Sequence, residues 1–395
     1  ANPCLQHGLS KCHGKCATTG LYQYGHVLTL RRRGIHLLAI LVQSIRSKAV
    51  IVPSKKSSFG ALPARFRRQR ILIIGLGDVG TRVANMLPAG VRKLALIRDP
   101  SRADSARRLG ACPVLGDLDD RQSLHRLAGV AHHVLHLAPP AQQGSTDERT
   151  RHLVRALSKA GLPRSLVYVS TSGVYGDCGG DWIREERMAN PQTPRARRRV
   201  HAERLVRDWG RTQGVRVSVL RVPGIYANDR AEGGARARLE RRLPVLLATE
   251  DVYTNHIHAD DLARACQRAI WLARPQRVYN VNDDTCLKMG DYFDSAADLY
   301  GLDRPPRVPR TELQNSVSAM QLSFMSESRR MRNERMKQEL RLLLAYPSVH
   351  DGLRGFCRIR ISRRDTRSES PQMHPDGPAA DRPGRVRTAV PVPPG

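Results

Sequence analysis

Three closely spaced glycines in Gly75-Leu76-Gly77-Asp78-Val79-Gly80 form the pattern in this 395-residue chain that most directly implies chemistry. A G-x-G-x-x-G loop that leaves a buried strand and opens a helix binds a dinucleotide pyrophosphate. Its first glycine makes the tight turn, the second lets the backbone approach the phosphates, and the third lets helix and strand pack closely. The free N–H groups and positive dipole end of the helix then face the anion. The context here is right, because Arg70–Ile74 reads RILII, a β-branched strand, and a helix is expected over residues 81–87. The strand expected next, residues 91–97, ends at Arg98, where an NAD enzyme keeps an acid for the ribose 2′-hydroxyl. An Arg there pairs with a 2′-phosphate, so NADP is expected ahead of NAD, with Asp99 as a competing ribose acceptor. Asp117, after the third strand, is placed either to accept from an adenine amino group or to cap the helix that follows.

These residues need a scaffold, and the middle of the chain supplies the pattern for one. Short apolar runs at residues 70–74, 91–97, 112–115, 133–137 and 165–170 alternate with helical segments at 81–87, 105–109, 124–128 and 147–160. That alternation predicts an α/β fold, a Rossmann-type doubly wound parallel sheet. Strands at 215–222 and 277–281 and helices at 260–273 and 292–300 are expected to form a small C-terminal substrate-side region after about residue 222.

The flanks read differently. Residues 1–68 contain no Asp or Glu and carry +12 of the formal +30 charge, and residues 354–395 are rich in Pro and Arg. The first segment is expected to be a basic, disordered or non-native extension and resembles a transit peptide. The second is expected to be a disordered tail, leaving 69–353 as the folded domain. Cys4, His7, Cys12, His13 and Cys16 lack the second distant pair that zinc spacing requires, so no metal site is expected. Aromatics are only 5% of the chain, too few for an RNA-stacking surface, and nucleic acid is disfavoured as a partner. The longest apolar stretch of the amino-terminal region, residues 35–42, is far too short to span a bilayer, so no membrane partner is expected. Cysteines without framework spacing suit a reduced, cytoplasmic protein.

Seven motifs in order resemble the NAD-dependent epimerase/dehydratase type of the extended and atypical short-chain dehydrogenase/reductase superfamily. They are the Gly75 loop, Gly116-Asp117-Leu118, His136-Leu137-Ala138, VYVSTSGVYG at 167–176, LRVPGIY at 220–226, NHIHADDL at 255–262 and VYNVND at 278–283. Asn333 to Leu340, and then Tyr346-Pro347-Ser348, look like the family's C-terminal helix and its exit. The resemblance implies hydride transfer at a hydroxyl or carbonyl carbon of a small molecule, a nucleotide sugar among the candidates, and leaves a homodimer open. It implies cofactor contacts from Leu118 and Ala138, and places Thr171 at the catalytic Ser/Thr position, with Tyr175 four residues on as a candidate phenol.

The family pairs a Tyr with a Lys four residues later on the next helix. Aligned on Ala202-Glu203, this chain has Arg195 and Arg199 in those places. Arg cannot act as a general acid or base near neutrality, although Arg199 retains a cation for the ribose. Three functions are therefore compared: an NAD(P)-dependent enzyme, a catalytically reduced dinucleotide-binding sensor or structural protein, and a basic nucleic-acid binder. The first is preferred. His256 and His258, on one face of a short strand, suggest either a metal pair or a structural junction in which an Asp caps the following helix, and the junction is preferred.

Overall fold

A computed structural model describes residues 68–230 and 234–355. The amino-terminal cysteine and histidine cluster and nearly all of both predicted extensions lie outside the described residues. The first half comprises β1 (Arg70–Ile74), α1 (Asp78–Met86), β2 (Arg92–Ile97), α2 (Ala103–Arg108), β3 (Ala111–Leu115), β4 (His133–His136), α3 (Glu148–Leu157), β5 (Ser165–Thr171), β6 (Trp182–Ile183) and α4 (Pro194–Gln213). After these come β7 (Arg216–Val222), β8 (Gly224–Tyr226), α5 (Ala235–Glu240), β9 (Val245–Leu246), β10 (Tyr253–Thr254), β11 (His256–His258), α6 (Ala259–Leu272) and β12 (Arg277–Asn280). The chain then continues through β13 (Leu287–Lys288), α7 (Met289–Tyr300), β14 (Arg307–Val308), α8 (Arg310–Ser316), α9 (Ala319–Phe324), β15 (Arg330–Met331), α10 (Glu334–Glu339) and α11 (Val349–Leu353).

Seven parallel strands make the central sheet in the order β12-β7-β5-β4-β1-β2-β3, the Rossmann-type doubly wound arrangement expected. The order reverses between β1 and β4, which opens a crevice at their carboxyl ends. Side chains alternate along β1, so Ile71 and Ile73 enter one core layer with Val83 of α1 and Leu262 of α6, while Leu72 and Ile74 enter the other with Leu153 of α3 and Val206 of α4. Burial on both faces is why these strands read as continuous apolar runs.

One expectation needs correcting. The strands at 216–222 and 277–280 and the helix at 259–272 do not belong to a substrate-side region. Both strands extend the sheet, and α6 contributes to the same core layer as α1. The residues of β7 from Val217 to Val222 and of β12 from Val278 to Asn280 are buried on two faces, like those of β1. What remains after Val222 is a smaller region of two-stranded ladders and helices. It has its own core of Tyr226, Leu239, Val245, Tyr292 and Phe293. The segment expected to be helical at 124–128 is a short 3-10 helix over Ser123–Leu127.

Side chains rather than a further strand meet the backbone of the outermost strand, β12. The Asn280 N–H donates to Glu185 Oε1 at 2.9 Å, and Arg335 Nη1 donates to the Val278 carbonyl at 3.0 Å.

Candidate active site

The glycine loop closes as its spacing requires. Gly75 has φ +96°, and a Cβ there would lie 2.7 Å from the Ala138 nitrogen at the end of β4. A Cβ on Gly80 would lie 2.4 Å from the Gly75 carbonyl oxygen, so the start of α1 can sit this close to β1 only without a side chain. Gly77 is the N-cap of α1, and nothing lies within 4 Å of where its Cβ would be. No side chain caps that helix end, which leaves its first N–H groups available to an anion. Ala138 therefore packs against the loop from the segment after β4.

Asp78 and Val79 open α1. Arg82, one turn on, bonds Asp78 at 2.8 Å, Asp229 at 2.6 Å and Asp260 at 2.5 Å. These pairs join the loop helix to the segment after β8 and to the first turn of α6. The three carboxylates hold the Arg82 guanidinium above its ordinary range despite its partial burial.

At the end of β2, Arg98 is exposed. Asp99 turns back to accept from the Ser101 N–H at 2.9 Å, capping a 3-10 turn. Ser101, together with Arg102 and Arg98, keeps its carboxyl below the usual range. Asp99 thus has a local role, and a second guanidinium stands beside the loop instead. Arg102 Nη2 donates to the Leu76 carbonyl at 3.0 Å, a contact that no sequence spacing signals.

Asp117 does not cap the next helix. Its Oδ1 accepts from the Asp119 N–H at 3.0 Å, within its own turn, and the 3-10 turn at 123–127 is preceded by Gln122. The Leu118 side chain is buried in the core layer of β1 and α3.

Thr171 ends β5. Its Oγ1 accepts from the Gly173 N–H at 3.3 Å and caps a 3-10 helix over Ser172–Tyr175. That helix swings Tyr175 inward, where it is 1% exposed, donates to Asn280 Oδ1 at 2.7 Å and lies under the Arg221 guanidinium. Burial pushes its phenol up to about 12. Arg221 pairs in turn with Glu203 at 2.7 Å, and Glu203 accepts from Ser170 at 2.6 Å. The structure therefore separates Thr171, at the open end of β5, from Tyr175, which is enclosed.

Sequence reasoning missed Glu327 and Arg329, which dock on the Thr171 turn from far along the chain. Arg329 Nη1 pairs with Glu327 Oε2 at 2.8 Å and donates to the Gly176 carbonyl at 2.9 Å. A Cβ on Gly173 would lie 3.9 Å from Glu327 Oε2 and 3.7 Å from Thr171 Oγ1.

On α4, Arg199 donates to Tyr168 Oη at 3.1 Å and to the Val169 carbonyl at 2.8 Å. Arg198 reaches the Gly144 carbonyl, beyond β4, at 2.7 Å. Arg195 is exposed, with its guanidinium 5.8 Å from the centre of the Phe324 ring. The helix contains neither Tyr nor Lys.

His256 and His258 lie at the start of α6, and the cap there differs from expectation. His258, not an Asp, is the N-cap of α6, its Nδ1 accepting from the Asp260 N–H. His256 stacks on Tyr292 at 4.1 Å. No group of His, Cys, Asp or Glu with metal-binding geometry occurs among the described residues, and none of their helices is long and apolar enough to cross a membrane.

A doubly wound sheet with a glycine cradle at the β1–β4 crevice and a hydroxyl at the end of β5 defines a nicotinamide-dinucleotide-dependent short-chain dehydrogenase/reductase type of protein. The chain belongs to the NAD dependent epimerase/dehydratase family, whose model matches residues 71–282. It is 27% identical over 263 residues to the GDP-6-deoxy-D-mannose reductase of Pseudomonas aeruginosa, covering 62% of this chain and 86% of that protein. The fold is similar to that of a functionally unknown conserved protein from Silicibacter pomeroyi DSS, with TM-score 0.61 and 28% identity, covering 73% and 98% of the two chains. It is also similar to the fold of RMD from Pseudomonas aeruginosa complexed with NADPH, with TM-score 0.56 and 22% identity, covering 73% and 97%.

Proposed function

We propose that the domain at 69–353 is an NAD(P)-dependent oxidoreductase or epimerase that transfers hydride at a hydroxyl or carbonyl carbon of a nucleotide-linked sugar, with NADP preferred. The observation that carries this reading is the glycine cradle, which excludes a Cβ at two positions and leaves the helix N–H groups uncapped at the β1–β4 crevice. The pyrophosphate would lie against Gly75, Gly77 and the amino end of α1, and Arg98 and Arg102 would face a 2′-phosphate. When bound, the dinucleotide supplies the hydride donor or acceptor. Thr171 would orient the reacting oxygen. Tyr175, enclosed against Asn280, would hold the turn and take no proton from substrate. The Pseudomonas relatives, a reductase of a GDP-linked sugar and a complex with NADPH, support this direction.

The test is direct. Dissociation constants for NADPH and NADH are measured by fluorescence, and turnover is followed across a panel of nucleotide sugars. NADPH is expected to bind more tightly, Arg98→Gln should narrow that preference by about tenfold, and Thr171→Ala should slow turnover. Failure of both dinucleotides to bind would overturn the reading. Tight binding without turnover on any sugar would reduce it to a dinucleotide-binding protein without hydride transfer.

A further inference from the structure

Buried cations are normally paired with anions, because an unpaired charge removed from water is costly. Arg198 and Arg199 are each 7% exposed, yet neither has a carboxylate partner among the described residues. Both keep a buried Nε with no hydrogen-bond partner. Arg195 lies one turn before them, and residues three and four apart on a helix share one face. It too has no carboxylate partner among the described residues. Desolvation, and then the two neighbouring guanidinium groups, hold Arg195 below its ordinary pKa.

The neighbours of this face are backbone carbonyls and rings, not acids: Val169 on β5, Gly144 after β4, the Tyr168 ring and the Phe324 ring. Glu203, the next acid along the helix, is committed to Arg221 and Ser170. Asp147, in the loop after β4, accepts from Thr150. The cluster sits beside the last residues of β5, two positions before Thr171.

We infer that the Arg195, Arg198 and Arg199 face of α4 is an oxyanion-binding site, and that the substrate brings a carboxylate or a phosphate to it. This inference rests on the proposed function for its place beside the reacting carbon. The fork geometry of guanidinium suits either oxyanion. In a nucleotide-linked sugar the anion is either the diphosphate or an acid group on the sugar ring. On this view α4 is a substrate-gripping element, with Arg195 as the contact open to solvent and Arg198 and Arg199 as the buried charges behind it.

The experiment compares UDP, UDP-glucose and UDP-glucuronate by calorimetry, without added dinucleotide, on the full chain. The variants are Arg195→Gln, Arg195→Lys and, as a charge-matched control at the opposite end of the sheet, Arg92→Gln. If the diphosphate occupies the site, Arg195→Gln weakens all three ligands together by about tenfold or more. If a sugar carboxylate occupies it, only UDP-glucuronate weakens. In either case Arg195→Lys, which keeps the charge but not the fork, retains more affinity than Arg195→Gln, and Arg92→Gln leaves it unchanged. The inference is overturned if wild type binds none of the three, if Arg195→Gln leaves all of them within about twofold, or if Arg92→Gln weakens them equally, since diffuse charge then explains binding. Turnover with NADPH is read separately. An Arg195 effect without turnover on any sugar sinks the enzyme reading alone, and turnover with no Arg195 effect sinks the oxyanion site alone.

Discussion

A glycine can be indispensable for two different reasons, and the loop after β1 separates them. Gly75 and Gly80 are fixed by contact, since a Cβ on either would run into backbone atoms at 2.7 and 2.4 Å. Gly80→Ala should therefore destabilise the folded state by about 1–3 kcal/mol even without ligand, measured as a lower denaturant midpoint. Gly77 has open space around it and an extended backbone, so Gly77→Ala should unfold at the wild-type midpoint and fail only in dinucleotide affinity. Equal stability losses in the two variants would contradict this division. Tyr175 allows a similar separation. Tyr175→Phe deletes its bond to Asn280, costing about 1–2 kcal/mol of stability, and should leave turnover within about threefold of wild type. A collapse of turnover at unchanged KM and stability would return the phenol to the chemistry.

At the scale of elements, the amino-terminal half of the sheet was legible because each strand there is a short stretch carrying apolar residues and bounded by turn residues. Ile71–Ile74 and Leu166–Val169 need no tertiary information to be read as buried. β7 and β12 were legible as strands but not as members of the same sheet, since nothing local tells a central strand from a strand of an added region. Register and neighbour choice depend on packing between segments some fifty to sixty residues apart, as in the pairing of Ser165 with Arg216 and of Ser218 with Arg277. The glycine cradle was legible because the chemistry needs consecutive residues at fixed spacing. Arg102, Glu327 and Arg329 were not, because each reaches the site from a separate segment and its residue type alone is common on a surface. The Arg82 hub belongs to this scale as well. It ties α1 to α6 through Asp260, and Arg82→Ala leaves three carboxylates facing one another at partial exposure. That variant should lower stability by about 1–2 kcal/mol after allowing for solvent screening, with part of the loss recovered by adding Asp260→Asn. No recovery in the double variant would show that Arg82 acts through packing alone.

For the whole molecule, acid sensitivity follows from buried histidines. Burial drives His136 and His256 down to about 3 from an ordinary value of 6.5, and His133 down to about 4. A depressed histidine means that the unfolded chain takes up the proton first. The stability each contributes is complete above about pH 6.5 and is lost progressively as pH falls towards the folded-state values. Between pH 7 and pH 5 each such group should cost about 2 kcal/mol of unfolding free energy. Asp283 works in the opposite sense. Its burial raises the carboxyl well above the ordinary range, so protonation near its folded pKa favours the folded state. His256→Phe keeps the stack on Tyr292 and removes the titration. Its unfolding free energy, measured in urea at pH 7 and pH 5, should change less than that of wild type by about 2 kcal/mol. Equal slopes would show that His256 is not the buried titrating group.

The side chains that meet β12 also govern how copies of the chain can meet. An open parallel sheet ends in a row of backbone donors and acceptors on which a second chain could add a strand and polymerise. Here Glu185 and Arg335 occupy that row on β12, and on the opposite border Pro113 lacks an N–H to offer. Each border of the sheet therefore offers an added strand fewer free backbone partners than a bare edge would. Removing Glu185 would free the Asn280 N–H on a border where the native chain keeps it occupied.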